Sequence, residues 1–361
     1  MSRLSSLQNR LKAQSIDLLA LGPGAHLEWL TGMHPHGDER PLLLCVTPTD
    51  AAFLMPVLEA EAARPGTDLT FHTWADADGP AEAFATLLAS LGAGNAQSIA
   101  LDETMRADFA GLVQDALPGA TRQFGASSVG ALRMRKDADE YASLKKVALV
   151  GDDAMRAAWN QMRVGMAEQE VAEIVRDAFR EAGAIPLFTI VGAGPNGAFP
   201  HHQTGASTLK PGDAVVMDIG GGLGGYPSDM TRMAFVGTPP QGYLEAHGVV
   251  EAAVQAALKA AKPGARAHEV DDAARGVIAD AGFGDAFVHR TGHGLGVEIH
   301  EPPYITATSQ VVLEEGMVFS IEPGIYLQGR FGVRLEDIVI LRSDGAEILS
   351  ELPRDLFLID A

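Results

Sequence analysis

The chain has 361 residues, 47% hydrophobic and 20% charged, the make-up of a folded globular protein with room for about two domains at roughly 150 residues each. Its formal charge of −20 argues against a nucleic-acid partner, because phosphate binding needs clustered lysines and arginines and none occur here. A single cysteine, Cys45, excludes an intrachain disulfide and a thiolate-rich metal site. No run approaches the roughly 18 apolar residues of a membrane span, and the opening MSRLSSLQNRLKAQ lacks the apolar core of a signal peptide, so a cytoplasmic protein without membrane attachment is expected.

The first part reads as an α/β unit. Helical patterns cover Ser5 to Gln14, Ala25 to Leu30, and the regions near Ala81 to Leu91 and Met105 to Ala116. Strands are expected at Asp17 to Leu21 and Ser98 to Leu101, with a hairpin-like pair at Pro41 to Val46 and Ala51 to Met55. Between them the loop GMHPHGDER, residues 32–40, is either a polar surface excursion or a segment that reaches a site. A boundary falls around Ala131 to Lys136, giving a smaller N-terminal domain over 1–131 and a larger one over 132–361. Asp137 and Glu140 have the spacing of a capping box, opening a helix to about Met162, and a second helix covers Glu168 to Ala182.

From Ile185 onward, helices at about Gln241 to Ala261 and His268 to Ala281 fall between two hairpins, which argues for an α+β domain over a parallel sheet. The first hairpin, DAVVMDIGGGLGGYPSDMTR from Asp213 to Arg232, places Asp218 opposite Asp229 if its turn is centred between Leu223 and Gly224. The second, Met317 to Leu341, places Glu322 opposite Glu336 when centred on Gly329. Paired carboxylates on apolar strands repel, and a buried unpaired charge costs several kcal/mol or is neutralised, so each pair calls for a cation. Between the hairpins lies HRTGHGLGVEIHEP, with His289, His293 and His300, while His201 and His202 precede the first.

Four carboxylates with one imidazole and no sulfur suit hard to borderline divalent ions. That is more negative charge than one ion balances, so two are expected. Such pairs, roughly 3.5 to 4 Å apart, acidify a shared water and polarise a carbonyl, and the chemistry implied is hydrolysis.

The ordered contexts DIGGG, YPSDMTR, TGHGLGVEIHEPP, SIEPGIY and GVRLEDIV resemble the pita-bread metallopeptidase family, which includes methionine aminopeptidase, aminopeptidase P, prolidase and the metal-free creatinase. The match runs from Ala131 to the C-terminus, and the first part is similar to the creatinase-type domain of prolidase and aminopeptidase P. The resemblance implies that Asp218 chelates one ion, that His293 and Glu322 bind the other, and that Asp229 and Glu336 bridge them. It makes Glu322 the proton shuttle, sets His201 against the scissile peptide and His300 against the carbonyl oxygen, and places His289 and Arg334 near the proline pocket and in the layer behind the metal ligands. Thr231 matches a hydroxyl that orients a bridging carboxylate, and His202 reads as a loop residue.

The extra N-terminal domain counts against methionine aminopeptidase and the full ligand set against creatinase. Cleavage before proline remains, of Xaa-Pro dipeptides first, with aminopeptidase P action on longer peptides as the alternative and a non-catalytic binding protein as the alternative of another class. Manganese is the expected ion, with cobalt, zinc and iron also compatible. A homodimer is expected, the 32–40 loop with Arg40 and His36 reaching the partner's site to hold the dipeptide carboxylate.

Overall fold

The computed structural model describes residues 2–360, and the chain divides after Arg133 into two compact units. The first carries a six-stranded mixed sheet built from β1 (Leu18–Leu21), β2 (Leu43–Val46), β3 (Ala51–Pro56), β4 (Thr70–Trp74), β5 (Ser98–Leu101) and β6 (Thr121–Phe124), in the order β4-β3-β2-β1-β5-β6. Strands β1, β2 and β3 are fully buried, which is why they read as continuous apolar runs. The expected hairpin is the antiparallel β2–β3 pair. Strands β4 and β6, at the two edges, were not expected: TFHTW and TRQF have no apolar alternation because neither presents more than a partial face to the core.

The second unit begins with a helix at Ala138–Gln161 whose N-cap is Asp137. Its side chain accepts from the backbone N–H of Asp139 and Glu140, and Glu140 returns a bond, completing the expected capping box. A second helix spans Glu168–Glu181, and a second pair spans Tyr243–Ala260 and Ala267–Asp280. Strands β7 (Ile185–Ala193), β8 (Ala214–Leu223), β9 (Tyr226–Pro227) and β10 (Met230–Val236) supply the first acidic hairpin. They are followed by β11 (Gly292–Gly294), β12 (Glu301–Ile305), β13 (Val318–Ile321), β14 (Gly324–Leu327), β15 (Phe331–Arg334), β16 (Asp337–Arg342), β17 (Gly345–Ile348) and β18 (Phe357–Ile359). One sheet runs β18-β10-β8-β7 with β9 on β8, a second runs β12-β11-β13-β16-β17, and β14 pairs with β15. This is the expected α+β domain, following a smaller α/β one in the chain. Among the described residues no helix is long and apolar enough to cross a membrane.

Two cores lie on either side of the first sheet. Val215, Met217 and Ile219 of β8 pack with Met155, Val175 and Phe179 of the first helical pair. Ala214 and Val216 pack with Val250, Val270 and Ile278 of the second pair and with Phe319 and Ile321 of β13. Since strand side chains alternate, Asp218 points to the same side as Val216, toward the second sheet.

The register of the first hairpin differs from expectation. Asp218 pairs with Thr231 rather than Asp229, because the turn is Gly224–Gly225, with φ of 62° and 83°, and Leu223 pairs with Tyr226. Two adjacent left-handed residues make the two-residue turn whose twist matches the strands, and glycine takes that conformation at no steric cost. Moving the centre by one residue shifts every pair by two, which preserves facing and leaves Asp229 diagonal to Asp218. The second hairpin has the expected register: Ile321 pairs with Asp337 and Gly324 with Arg334, so Glu322 and Glu336 stand across from each other in the gap between the two ladders.

Candidate metal centre

Five side chains from separate strands or strand ends converge. Asp218 extends from β8, Asp229 from the break before β10, His293 from β11, Glu322 from the end of β13 and Glu336 from the link between β15 and β16. Ligand atoms of Asp218, Asp229 and Glu336 lie within 4.8 Å of one another, as do those of His293, Glu322 and Glu336, and Asp229 also groups with His293 and His300. Asp229, His293 and Glu336 each belong to two of these groups, so the groups form one continuous cluster.

The cluster is unstable as bare protein. Asp218 Oδ1 and Glu336 Oε1 are buried with no hydrogen-bond partner among the described residues, each a cost of about 1–3 kcal/mol or more for a charged group. Burial, then the charges of Asp218 and Glu322, pushes the Asp229 carboxyl well above its usual range. Burial and the neighbouring acids do the same to Glu336. The Glu322 carboxyl is pushed up to about 7, again chiefly by burial.

His293 Nδ1 lies 3.1 Å from the Gly294 carbonyl, which only accepts, so Nδ1 carries the proton. Its Nε2 lone pair then faces Glu322 Oε1 at 3.3 Å and Asp229 Oδ2 at 3.6 Å. Burial holds this imidazole neutral, pushing its pKa down to about 3. Acceptors facing acceptors, with two oxygens unsatisfied, fit divalent cations as the missing partners.

A hydrogen-bonded layer aims these groups. Thr231 Oγ1 donates to Glu336 Oε2 at 2.8 Å and accepts from Arg334 Nε at 3.0 Å. Arg334 Nη2 donates to Asp218 Oδ2 at 2.6 Å and Nη1 to the Tyr326 hydroxyl at 2.8 Å. His289 Nδ1 donates to the Arg290 carbonyl at 2.7 Å, so its Nε2 accepts from the Tyr326 hydroxyl at 2.8 Å. Burial holds His289 neutral too, down to about 4. Ser320 Oγ bonds both the His293 N–H and Glu322 Oε1.

In front of the cluster is a cavity of about 860 Å³ with apolar walls from Phe188, Ile190, Phe199, Pro200, Val288 and Ile299. His201 and His300 line it, and the His300 ring meets the His293 ring edge-on at 4.2 Å. Arg290, which also lines it, stacks over Tyr304 and meets no acid within ion-pair distance among the described residues.

His202 lies elsewhere, with Nε2 at 2.9 Å from Glu168. In the N-terminal unit His36 is exposed, and Arg40 is held by Asp76 at 2.9 Å and by Asp38 at 3.0 Å. Sequence reasoning missed Tyr326, Arg290 and Ser320. The one signal available was the even spacing that sets Ser320, Glu322 and Tyr326 along a single apolar stretch.

Residues 142–343 match Metallopeptidase family M24, and residues 3–135 match the Creatinase/Prolidase N-terminal domain. The chain belongs to metallopeptidase family M24. It is 38% identical over 348 residues to the probable dipeptidase PepE of Mycobacterium tuberculosis H37Rv, covering 94% of this chain and 92% of that protein. It is 40% identical over 227 residues to the Xaa-Pro dipeptidase of Pyrococcus furiosus, covering 62% of this chain and 65% of that one. The crystal structure of dipeptidase PepE from Mycobacterium ulcerans superposes with a TM-score of 0.95 at 34% identity, covering 99% of this chain and 97% of that one.

This M24 chain is therefore a metallopeptidase that works with divalent ions, in the two-domain arrangement expected from its motifs. Tyr326 ties Arg334 to His289, so Tyr326→Phe, which removes only the hydroxyl, should lower kcat about 10-fold with less than a twofold change in KM, read from steady-state kinetics. One buried hydrogen-bond link to a charged group is worth about 1.5–3 kcal/mol.

Proposed function

We propose that the chain hydrolyses the peptide bond before proline in Xaa-Pro dipeptides. In this reading Asp218, Asp229, His293, Glu322 and Glu336 hold two divalent ions, manganese first. The observation that carries it is the buried set of four carboxylates and one neutral imidazole, with Asp218 Oδ1 and Glu336 Oε1 lacking partners, at the floor of a peptide-sized cavity. The substrate class is supported by the names of two relatives, an Xaa-Pro dipeptidase and a probable dipeptidase.

Divalent ions supply Lewis acidity, which activates water and polarises a carbonyl. The protein supplies the rest. Glu322, whose side chain keeps 15% exposure toward the cavity while its neighbours are more deeply buried, takes the proton of the attacking water and delivers it to the departing proline nitrogen. That nitrogen has no hydrogen in the substrate, so the delivered proton is needed to release it as an amine. His300, beside His293, donates toward the oxygen on which negative charge develops, and His201 holds the scissile peptide from the cavity wall. Phe188, Phe199 and Val288 give the cavity an apolar wall for the substrate to cover, and water displaced from it on binding strengthens each of these interactions.

A dipeptide ends in a carboxylate one residue from the cut. Arg334 is committed to Asp218 and Tyr326, and Arg40 to Asp76 and Asp38, whereas Arg290 lines the cavity with no acid in ion-pair distance among the described residues. Arg290 is accordingly the chain's own counter-charge for a substrate carboxylate. In a homodimer, Arg40 and His36 of the partner's 32–40 loop would close the site, and Arg40→Ala would then change the dipeptide-to-tripeptide ratio.

The test compares Ala-Pro, Ala-Pro amide, Ala-Pro-Gly and Ala-Ala with manganese-loaded protein. Ala-Pro should exceed Ala-Pro-Gly at least 10-fold in kcat/KM, and Ala-Ala should be a poor substrate. Arg290→Gln should raise KM for Ala-Pro roughly 10- to 100-fold, the worth of one charge-assisted bond, and leave the amide unchanged. Preference for the tripeptide would establish the aminopeptidase P reading, and cleavage of Ala-Ala without Ala-Pro would end both.

A further inference from the structure

The cavity wall that bears His201 is not part of a regular element. It is the stretch from Ala193 to Gly205, which leaves β7, makes a short 3-10 turn at Gly194–Ala198 and runs on without helix or strand. Phe199, Pro200 and His201 project from its middle into the cavity. Irregular backbone holds a side chain in place only where its polar groups are fixed from outside.

Thr204 Oγ1 ties the stretch to β7, accepting from the Val191 N–H at 2.7 Å, and one buried carboxylate adds four bonds at its two ends. Glu168, the first residue of the Glu168–Glu181 helix, is fully buried, at 0% exposure. Its Oε1 accepts from the Ala193 N–H at 2.9 Å and from Asn196 Nδ2 at 2.8 Å. Its Oε2 accepts from His202 Nε2 at 2.9 Å and from the Gly205 N–H at 3.2 Å. Two donors come from each end of the stretch, so a single carboxylate closes it into a loop whose apex is Phe199–Pro200–His201. A carboxylate only accepts, which fixes the proton of His202 on Nε2 and explains its spacing: alternate residues point apart, His201 to the cavity and His202 to Glu168. The position of Glu168 at a helix N-terminus stabilises its negative charge, and four hydrogen bonds replace its lost water.

The far side of the loop abuts the metal layer. A Cβ on Gly332 would lie 1.9 Å from the Gly197 carbonyl oxygen, so the loop rests directly on β15, the strand that ends in Arg334. Arg334 Nη1 also reaches the Pro200 carbonyl at 3.5 Å.

We infer that Glu168 is the positioning residue for the substrate-facing loop, holding His201 at the reacting bond through Ala193, Asn196, His202 and Gly205. The inference rests on the proposed role of His201, and its test separates the two. Glu168→Gln keeps the shape but turns an NH2 group toward N–H donors, and a displacement of about 1 Å costs on the order of 100-fold in rate. The kcat/KM of manganese-loaded Glu168→Gln for Ala-Pro should fall about 100-fold at unchanged metal content, and the Ala193 and Gly205 amides should exchange hydrogen faster.

The deciding measurement is the double-mutant cycle with His201→Ala. If Glu168 acts through His201, the double variant is within about twofold of His201→Ala alone. Losses that multiply overturn the inference while leaving the His201 role intact. A His201→Ala variant as fast as the parent overturns that role, and amide exchange then decides the clamp alone. Should Glu168→Gln not fold, His202→Ala and Asn196→Ala, each removing one donor, should each lower kcat/KM about 10-fold, and no change in either would overturn the inference.

Discussion

Stripping divalent ions with a chelator should abolish hydrolysis and lower the melting temperature of the second unit by roughly 10 °C near pH 8. A ligand present at about 1,000 times its Kd stabilises the folded state by about 4 kcal/mol, and a unit of this size loses about 2–4 °C per kcal/mol. The gap should be smaller at pH 5, and the sign follows from the carboxyls. In the metal-free fold Glu322 is pushed from 4.5 up to about 7, and Asp229 and Glu336 are pushed up as well. A raised acid binds more protons folded than unfolded, so stability of the stripped protein falls as pH rises from the unfolded pKa to the folded one, and stays lost above it. Bound cations oppose that rise in pKa, so the loaded protein escapes the fall and the two melting curves diverge between about pH 5 and pH 7. Differential scanning calorimetry of loaded and stripped protein at both pH values checks this. Equal melting temperatures, or hydrolysis that survives chelation, would sink the metal assignment.

Why those acids were visible in sequence, and other features were not, follows from what each strand buries. Asp218 interrupts AVVMDIG and Glu322 interrupts VFSIEPG, runs otherwise buried, where a carboxylate needs a partner, and two such acidic hairpins with histidines between them favour a metal over a lone arginine. The capping box at Asp137 was legible because its signal is local. Strands β4 and β6 were hidden because an edge strand with little burial has no periodicity to read. The first hairpin's register was misjudged because GGGLGG offers several possible turns, and only pairing of Leu223 with Tyr226 selects Gly224–Gly225. Tyr326 carries no sequence signal of its own, and its hydroxyl acquires meaning only when Arg334 and His289 arrive from other segments. His202 read as a loop residue because its partner, Glu168, comes 34 positions earlier.

Replacing Glu322 by Gln should lower kcat for Ala-Pro by about 100- to 10,000-fold, the range for loss of a positioned general base and acid. Glu322 lies beside His293, its side chain is more exposed (15%) than that of Asp218 (12%) or Asp229 (6%), and Ser320 Oγ holds its Oε1 at 3.1 Å, so a proton carrier there is pre-aimed. Gln keeps the volume and one oxygen, so KM should move less than about threefold and the loss should sit in kcat. Metal content of each variant is the needed control. Glu336→Gln, altering a residue shared by both ligand groups and bound by Thr231 at 2.8 Å, should lose metal first and activity as a consequence. Glu322→Gln should retain at least one equivalent yet stay slow when metal is in excess. A Glu322→Gln enzyme restored to more than a tenth of parental kcat by added metal would confine Glu322 to ligation, and the proton would then have to travel through His201 or His300.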